Sequence, residues 1–249
     1  METFPELARR IMGRPARLGR TRLVAVDGPS GAGKSVFAGR LAAALTALPA
    51  PAELPGDAPL DPPELLPGEH VPVVRTDDLL AGWDDQLSFW PRLDEWVLTP
   101  LRAARPGRYR RYDWTRAAFG PDWVTVPPAP VVVIEGVSSS RAGIAPELSL
   151  AIFVTAPPRL RLDRVLTRDG AAVLPDLTRW RQGERRHFDA DATADRADLV
   201  VDGAPGAAAG TDPAVATDPA VATDPAVATD PVDDSITALD PDVHYVRLR

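Results

Sequence analysis

The stretch Gly28–Ser35 reads GPSGAGKS and satisfies the pattern G-x-x-x-x-G-K-[ST], a glycine-rich turn that wraps the phosphates of a bound nucleotide. It follows the apolar run Leu23–Val26 and precedes Ser35–Leu48, in which large apolar residues recur at helical spacing. Lys34 is the only lysine of the chain, against 27 arginines. An arginine-biased composition explains why lysine is scarce, but not where the single lysine lies. Because a slim ammonium reaches between two phosphates where a planar guanidinium cannot, the position of Lys34 indicates a nucleotide-binding loop.

Each part of this loop has a predicted role. The glycines allow successive N–H groups to point at the phosphates, and the following helix adds the positive end of its dipole. Lys34 is predicted to bridge the β- and γ-phosphates of ATP, and Ser35 to bind Mg²⁺. A chance match within a turn rich in glycine and alanine is the alternative, but the strand before the loop and the helix after it argue against chance. The residues predicted to bind the nucleotide are Gly28, Ser30, Gly31, Ala32, Gly33, Lys34 and Ser35.

Length and composition limit the class of protein. With 249 residues and 45% hydrophobic content, the chain can bury a core, most simply as one domain. The absence of cysteine excludes disulfides and thiolate metal sites, which agrees with a reducing compartment. No apolar run approaches the roughly 20 residues that span a bilayer, and the arginine-rich N-terminus lacks the apolar segment of a secretory signal. We therefore expect a cytoplasmic protein without a membrane partner.

The acidic charge is concentrated in the C-terminal part of the chain. The net charge is −7, of which residues 203–249 carry −6, so residues 1–202 are nearly neutral. A nearly neutral body without basic clusters predicts no nucleic-acid partner. From residue 211 the sequence TDPAVA occurs three times in succession. Its regular prolines prevent a helix, and its small side chains offer no large apolar layer for a stacked β-helix, so disorder is predicted.

These patterns divide the chain into three parts. Residues 1–202 are predicted to form a folded kinase-like domain, with a proline-rich surface loop over residues 49–70. Residues 203–238 are predicted to be a disordered acidic linker. Residues 239–249 regain strand-like alternation near the end of the chain, and we expect this segment to dock on the domain.

Strand-like and helix-like segments alternate through the domain. The apolar runs lack a period of two, so the strands are predicted to be buried on both faces, as in a parallel sheet. Trp83–Ala104 is predicted to be mainly helical with interruptions near Pro91 and Pro100, and Arg159–Arg168 to form a later helix. The expected fold is α/β, a three-layer P-loop NTPase fold with a five-stranded, mainly parallel sheet flanked by helices. The predicted strands are Leu23–Val26, Val71–Val74, Val131–Ile134, Ser149–Val154 and Leu199–Val201.

Carboxylates follow three of these strands, at the edge where open α/β sheets bind their ligands. Asp27 precedes the glycine-rich loop. Glu135 is predicted to hold Mg²⁺ directly or through its water shell, the alternative being a solvated acid at a strand end. Asp77 is assigned as the base that accepts a proton from an attacking hydroxyl, and Asp78 as a helix N-cap.

Arg161, Arg164 and Arg168 fall on one side of a predicted helix. Arginines in this arrangement could close over the phosphates as a lid and neutralise the charge that develops in the transition state. A charged, solvated helix face is an equally acceptable interpretation. We assign Arg164 and Arg168 to the lid.

The segment Arg108–Trp114 combines aromatic rings, several cations and one carboxylate. This mixture suits a flat ring that carries hydroxyl groups, stacked on an aromatic side chain and hydrogen-bonded to the carboxylate. A core role for the aromatic residues and an RNA-facing patch are the alternatives. The residues predicted to bind the acceptor substrate are Arg108, Tyr112, Asp113 and Trp114.

From about Leu23 to Asp202 the chain resembles the uridine kinase family of P-loop nucleoside kinases. Besides the glycine-rich loop, the likeness rests on Thr76–Leu80, which lies where the family has its catalytic-base segment, and on Tyr112–Trp114, which is similar to its nucleoside-binding segment. Arg161–Asp169 is similar to its lid helix. The resemblance implies ATP as phosphoryl donor and supports Asp77 as the base. The chain lacks the family's ribose-binding acid segment and the Arg-Gly-Arg that completes its lid, so uridine is implied less strongly than ATP.

The sequence therefore predicts an ATP- and Mg²⁺-dependent kinase that transfers the γ-phosphoryl group to a hydroxyl of a small molecule. A nucleoside such as uridine or cytidine is the leading acceptor. Two alternatives stay open at this point. One is a kinase of another hydroxylated metabolite, such as a pantothenate- or sugar-like molecule. The other is a nucleotide-binding regulatory module with little catalysis of its own.

Overall fold

The computed structural model describes residues 2–48, 70–204 and 244–249. Most of the predicted loop at residues 49–70 and of the predicted linker at residues 203–238 lies outside these ranges. The strands are β1 (Glu2–Thr3), β2 (Arg22–Asp27), β3 (Val73–Arg75), β4 (Gly107–Asp113), β5 (Ala118–Val126), β6 (Val131–Glu135), β7 (Leu148–Thr155), β8 (Leu199–Asp202) and β9 (His244–Arg247). The helices are α1 (Phe4–Met12), α2 (Lys34–Thr46), α3 (Trp90–Leu93), α4 (Thr99–Arg102), α5 (Pro158–Asp169), α6 (Leu174–Asp191) and α7 (Thr193–Arg196). Among the described residues, no helix is long and apolar enough to cross a membrane.

One sheet holds seven of the described strands, in the order β1-β9-β8-β7-β2-β6-β3. The strands β8, β7, β2, β6 and β3 are parallel and correspond to the five predicted strands. The predicted α/β fold with a mainly parallel sheet is therefore confirmed. The predicted number of strands was too small, because β9 pairs antiparallel with β8 and β1 pairs antiparallel with β9. A strand of two residues such as β1 has no measurable periodicity, so its sequence does not reveal it.

The parallel strands are buried on both faces, as their uninterrupted apolar runs predict. Every residue of β2 and of β6 is buried. Val24 on one face of β2 belongs to a core shared with Leu41 of α2. Ala25 on the other face belongs to a second core, which includes Leu98 between α3 and α4. Helices thus cover both faces of the sheet, and the three-layer arrangement follows.

The first and last of the described strands, β1 and β9, pair with each other at one edge of the sheet. Thr3 caps α1: its side chain accepts from the Glu6 amide, and the Glu6 carboxylate accepts from the Thr3 amide at 2.8 Å. The rings of Phe4, Phe37 and Tyr245 contact one another at centroid distances of 5.1–5.4 Å. This aromatic cluster joins α1, α2 and β9, so the last residues of the chain pack against the domain.

The segment between β3 and β6 departs from the sequence pattern in two ways. Pro91 lies in the first turn of α3, where a missing N–H costs nothing, and Pro100 directly follows helical residues, so neither proline ends the helical path. A five-residue π-helical turn, Asp94–Leu98, joins the two helices. The strands β4 and β5, which the sequence analysis did not predict, then form an antiparallel hairpin separate from the main sheet.

Candidate active site

The glycine-rich loop between β2 and α2 is tightly wound. Gly28, Gly31 and Gly33 have φ angles of 136°, 77° and 103°, a region that other residues rarely adopt. A Cβ atom at Gly28 would clash with a backbone carbonyl of β7, and one at Gly31 would clash with the backbone of α5. The glycines therefore allow the loop to lie directly against the neighbouring strand and helix.

Asp27, the last residue of β2, fixes the start of the loop from within the core. Its carboxylate accepts the amides of Gly28 (2.7 Å), Ser138 (3.0 Å) and Ser140 (2.8 Å), and also the Ser140 hydroxyl at 3.0 Å. Complete burial raises the pKa of Asp27 to about 6, although these donors and Lys34 act in the opposite direction. The group is thus mainly ionised at neutral pH, as its four donors require. It ties the loop to the segment that follows β6.

Lys34 and Glu135 place opposite charges at the inner end of the loop. Lys34 is 9% exposed, and its ammonium donates to the Pro29 carbonyl at 3.1 Å. Glu135, at the end of β6, is 4% exposed, pairs with Arg75 at 3.7 Å and lines the same cavity as Ser35. Burial raises the pKa of Glu135, and the Lys34 ammonium opposes that shift.

The Ser35 hydroxyl and the Glu135 carboxylate are hard oxygen donors, as Mg²⁺ prefers, and magnesium sites commonly combine one or two protein oxygens with substrate phosphates and water. The two side chains line one cavity together with the buried Lys34 ammonium, and this arrangement suits a magnesium–phosphate site. The described residues contain no cluster of three or more His, Cys, Asp or Glu side chains that could hold a metal without such help.

Asp77 and Asp78, next to each other in the 3₁₀ turn after β3, have different surroundings. Asp77 faces the space beside the loop, near Lys34, Glu135 and Arg168. Asp78 does not cap a helix, because no side chain caps the turn Thr76–Leu79. Instead its carboxylate accepts from the Tyr109 hydroxyl at 3.2 Å and pairs with Arg111 at 3.3 Å. The predicted capping role was wrong, and Asp78 anchors the β4–β5 hairpin.

The predicted lid arginines lie on α5, but all three are engaged with the protein. Arg164 donates to the carbonyls of Gly31 and Gly203 at 3.2 and 3.1 Å. Arg168 binds Asp169 through two hydrogen bonds of 2.7 Å. Arg161 donates to a backbone carbonyl just before the helix. Arg164 and Arg168 line the cavity that also contains Lys34 and Asp77, whereas Arg161 lies against Gly31 through its backbone.

Three cavities meet at the loop. The loop cavity, of about 200 Å³, is lined by Gly31, Lys34, Ser35, Asp77, Glu135 and Arg168 among others. The tryptophan cavity, of about 600 Å³, is lined by Leu80, Trp83, Trp114 and Trp180, and it shares Ser30, Asp77 and Arg168 with the loop cavity. The terminal cavity, of about 370 Å³, is lined by Phe4, Asp202, His244 and Tyr245, and it shares Gly33, Val36 and Arg164 with the loop cavity. The loop cavity therefore adjoins a larger space on each side.

The four residues predicted to bind the acceptor are not all brought together. Trp114 lines the tryptophan cavity and is 41% exposed. The Tyr112 ring packs edge-on against Trp114 at 5.3 Å, so it supports this wall. The Asp113 carboxylate accepts the amides of two residues in the hairpin turn, at 2.9 and 3.0 Å. Arg108 stacks on Trp123 at 4.7 Å and is not among the lining residues of the cavity.

Three side chains near the loop had no predicted role. Trp83 and Trp180, with ring centroids 5.7 Å apart, line the tryptophan cavity. Glu184 of α6 is buried and bonds to Ser30 in the loop. The sequence analysis proposed no helix after residue 169, so it offered no reason to place any residue of α6 at the site.

Comparison with known proteins identifies the architecture. No protein-family model and no curated protein sequence matches the chain. A solved structure described as a possible uridine kinase from Bacillus stearothermophilus is similar with a TM-score of 0.53 and 17% identity, over 79% of this chain and 96% of that one. A candidate fructose transport system kinase from Silicibacter sp. TM1040 is similar with a TM-score of 0.51 and 20% identity, over 77% and 96%. The chain therefore has a fold that resembles P-loop kinase structures, and at these identities the similarity reaches no further than the fold.

Proposed function

We propose that the protein is an ATP- and Mg²⁺-dependent kinase that transfers the γ-phosphoryl group to a hydroxyl of a small molecule, with a nucleoside as the leading acceptor. The observation that carries this proposal is the arrangement of the three cavities, with the loop cavity between the other two. The loop cavity has the residues for phosphates and Mg²⁺, and the terminal cavity adjoins it where a nucleotide base would lie. The tryptophan cavity adjoins it on the side of Asp77 and has room for a second substrate.

In the proposed reaction, Lys34 and the amides of Gly31–Ser35 hold the phosphates. Ser35 and Glu135 hold Mg²⁺, which neutralises phosphate charge when bound. Asp77 lines both the loop cavity and the tryptophan cavity, so its carboxylate can accept the proton of a hydroxyl that attacks the γ-phosphorus. The new bond joins that oxygen to phosphorus, the bond to the β–γ bridging oxygen breaks, and ADP leaves. Arg168 lines the same two cavities and can offset the charge that develops there.

The charges of the tryptophan cavity favour an acceptor without an anionic group. Its charged lining residues, among those that the structure describes, are Asp77, Arg168 and Asp169. The single cation of this set is bound by two hydrogen bonds to Asp169. A carboxylate or phosphate on the acceptor would therefore meet two carboxylates and a cation that is already paired. Of the two acceptor classes other than nucleosides, a neutral sugar suits the charges of the tryptophan cavity better than pantothenate, which carries a carboxylate.

An ADP-release assay with Mg²⁺ and ATP would test the proposal against matched acceptors: uridine, cytidine, fructose and pantothenate. We expect turnover with a neutral acceptor and none above background with pantothenate. Calorimetric titration with an ATP analogue separates the alternatives. Binding without phosphorylation of any acceptor would favour a nucleotide-binding regulatory module, and no binding of ATP or GTP would contradict nucleotide binding altogether.

A further inference from the structure

A buried carboxylate of α6, Glu184, is hydrogen-bonded to Ser30 in the glycine-rich loop. Glu184 is 2% exposed and lies 154 positions after Ser30 in the chain. Its Oε1 atom accepts the Ser30 amide at 2.7 Å and also the Ser30 hydroxyl. The Trp180 Nε1–H donates at 2.8 Å both to this carboxylate oxygen and to the Ser30 hydroxyl oxygen. A buried carboxylate is tolerated when several donors satisfy it, and here the loop supplies two of the three.

Neighbouring contacts restrain the residues on either side of Ser30. The Pro29 carbonyl accepts from the Lys34 ammonium at 3.1 Å, and the Gly31 carbonyl accepts from Arg164 at 3.2 Å. Three consecutive loop residues are therefore held in place by hydrogen bonds from α2, α6 and α5. Because Pro29 and Ser30 precede the amides that are proposed to bind phosphate and Gly31 carries the first of them, the conformation of these residues sets the direction of those amides. A loop that is already in shape loses less conformational freedom when the nucleotide binds.

The helix α6, which carries Glu184, packs against the connection between β3 and α3. Gln86 of this connection donates to the Trp180 carbonyl at 3.2 Å, and a Cβ atom at Gly183 would clash with the Gln86 side chain. The Trp180 ring contacts Trp83 at 5.7 Å and lines the tryptophan cavity. The same indole therefore touches the space assigned to the acceptor and bonds to the loop assigned to the phosphates.

We propose that Glu184 is a positioning residue of the nucleotide site: its bonds to Ser30 hold the glycine-rich loop in the conformation that binds phosphate. Trp180 orients the Glu184 carboxylate. This inference rests on the nucleotide site proposed above. The opposite effect on nucleotide affinity would arise if the carboxylate occupied the place of a phosphate oxygen in the loop and so opposed binding. The two possibilities predict opposite changes in nucleotide affinity. The geometry favours positioning, because the Ser30 amide and hydroxyl both bond to Glu184. Ser30, which the sequence placed among the nucleotide-binding residues, therefore acts through the loop, and the amides of Gly31–Ser35 are proposed to hold the phosphates.

Calorimetric titration of the full chain with Mg²⁺ and a non-hydrolysable ATP analogue tests this role. We expect Glu184→Ala to raise the dissociation constant about tenfold, as the loss of hydrogen bonds to a charged group predicts. Glu184→Gln keeps an acceptor oxygen and should recover most of the affinity. Trp180→Phe keeps a ring in the cavity but loses the N–H, so it should weaken binding by a smaller factor. Gln182→Ala, an exposed change on the same helix, is the matched control and should bind as the wild type does.

A general loss of stability would not reproduce this ranking, and thermal unfolding of each variant without nucleotide gives the comparison. If Glu184→Ala does not fold, Trp180→Phe carries the test, since it keeps an aromatic ring and removes little volume. Unchanged or tighter binding in folded Glu184→Ala, or in Trp180→Phe where Glu184→Ala does not fold, would overturn the inference and leave the proposed kinase intact. Absence of nucleotide binding in the wild type would instead overturn both.

Discussion

The loop cavity and the tryptophan cavity are neighbours, but they are built in different ways. Half of the residues that line the loop cavity come from one continuous stretch, Ser30–Val36, in which the positive φ angles of Gly31 and Gly33 and the buried Lys34 fix the shape. The tryptophan cavity is three times larger and is made by side chains of the β3–α3 connection, the β4–β5 hairpin, α5 and α6. Phosphate chemistry thus depends on backbone conformation, whereas acceptor choice depends on side chains that can be exchanged one at a time. Substitutions in the two cavities should therefore have separable effects.

Replacement of Lys34 by alanine is expected to have the largest effect on activity. The ammonium is the one lysine charge of the chain and contacts only the Pro29 carbonyl among the hydrogen bonds described. Phosphoryl transfer should fall by about 10³-fold or more, because a preorganised positive charge is lost where negative charge develops. Circular dichroism should show that the fold is retained. Lys34→Arg is the matched control and should also be nearly inactive, since a guanidinium is too wide for the same position. Undiminished turnover in Lys34→Ala would remove the central assignment.

Asp77→Asn should lower kcat by about 10²-fold and leave nucleotide binding almost unchanged, because it removes a proton acceptor and little volume. Steady-state kinetics together with calorimetry can separate the two effects. Its neighbour gives a built-in control: Asp78→Asn touches Tyr109 and Arg111 in the hairpin, so it should lower the melting temperature more than kcat. A large loss of kcat in Asp78→Asn, with an active Asp77→Asn, would exchange the assigned roles.

The same contrast explains what the sequence could predict. The glycine-rich loop is continuous in sequence, and its glycines, lysine and serine have spacings that few other structures require. The five parallel strands were predicted because burial on both faces leaves uninterrupted apolar runs, such as Val131–Ile134. Carboxylates at the ends of those strands followed from topology alone, and Asp77 and Glu135 do line one cavity with Lys34. These features are local, or depend on a rule of topology.

Features that depend on distant contacts were missed. The strand β1 has two residues and pairs with β9 at the other end of the chain, so no local pattern marks it. Glu184 lies in α6 among exposed charged residues, and its burial depends on Ser30, which is far away in sequence. Arg108 was assigned to the acceptor because of its neighbours, but its place in β4 turns it onto Trp123. A list of residue types does not contain the direction of a side chain.

Trp114→Leu should affect the tryptophan cavity and leave the loop cavity unchanged. The exposed indole offers a stacking surface at the wall of the tryptophan cavity, and loss of such a surface costs about 1–3 kcal/mol per ring. We expect the KM for the acceptor to rise about tenfold with the KM for ATP unchanged. Arg108→Ala, in the same hairpin but away from the cavity, should change neither constant appreciably. Equal sensitivity of the two KM values to Trp114→Leu would show that the cavities do not separate the substrates.

The smallest predicted effect is on the pH dependence of magnesium binding, and it belongs to the loop cavity. Burial raises the pKa of Glu135, so this carboxyl takes up a proton at a higher pH than an ordinary glutamate does. Magnesium requires the ionised form, so its apparent affinity should fall as the pH decreases towards that raised pKa. We expect a small loss of apparent Mg²⁺ affinity as the pH is lowered from 7.5 into the acidic range, measured at saturating ATP. The nucleotide and Asp27, whose pKa is about 6, also titrate in this range, so the wild type alone cannot identify the group.

Glu135→Gln isolates the contribution of Glu135, because it keeps the neighbouring Asp27 and the same nucleotide but cannot lose a proton. The variant should bind Mg²⁺ more weakly at every pH, and its affinity should decrease less as the pH falls. The difference between the two pH profiles is the contribution of this carboxylate. Parallel profiles would place the titrating group elsewhere. Such a result would leave Ser35 as the single assigned protein ligand, and the phosphates and water would then supply most of the oxygen atoms around the metal.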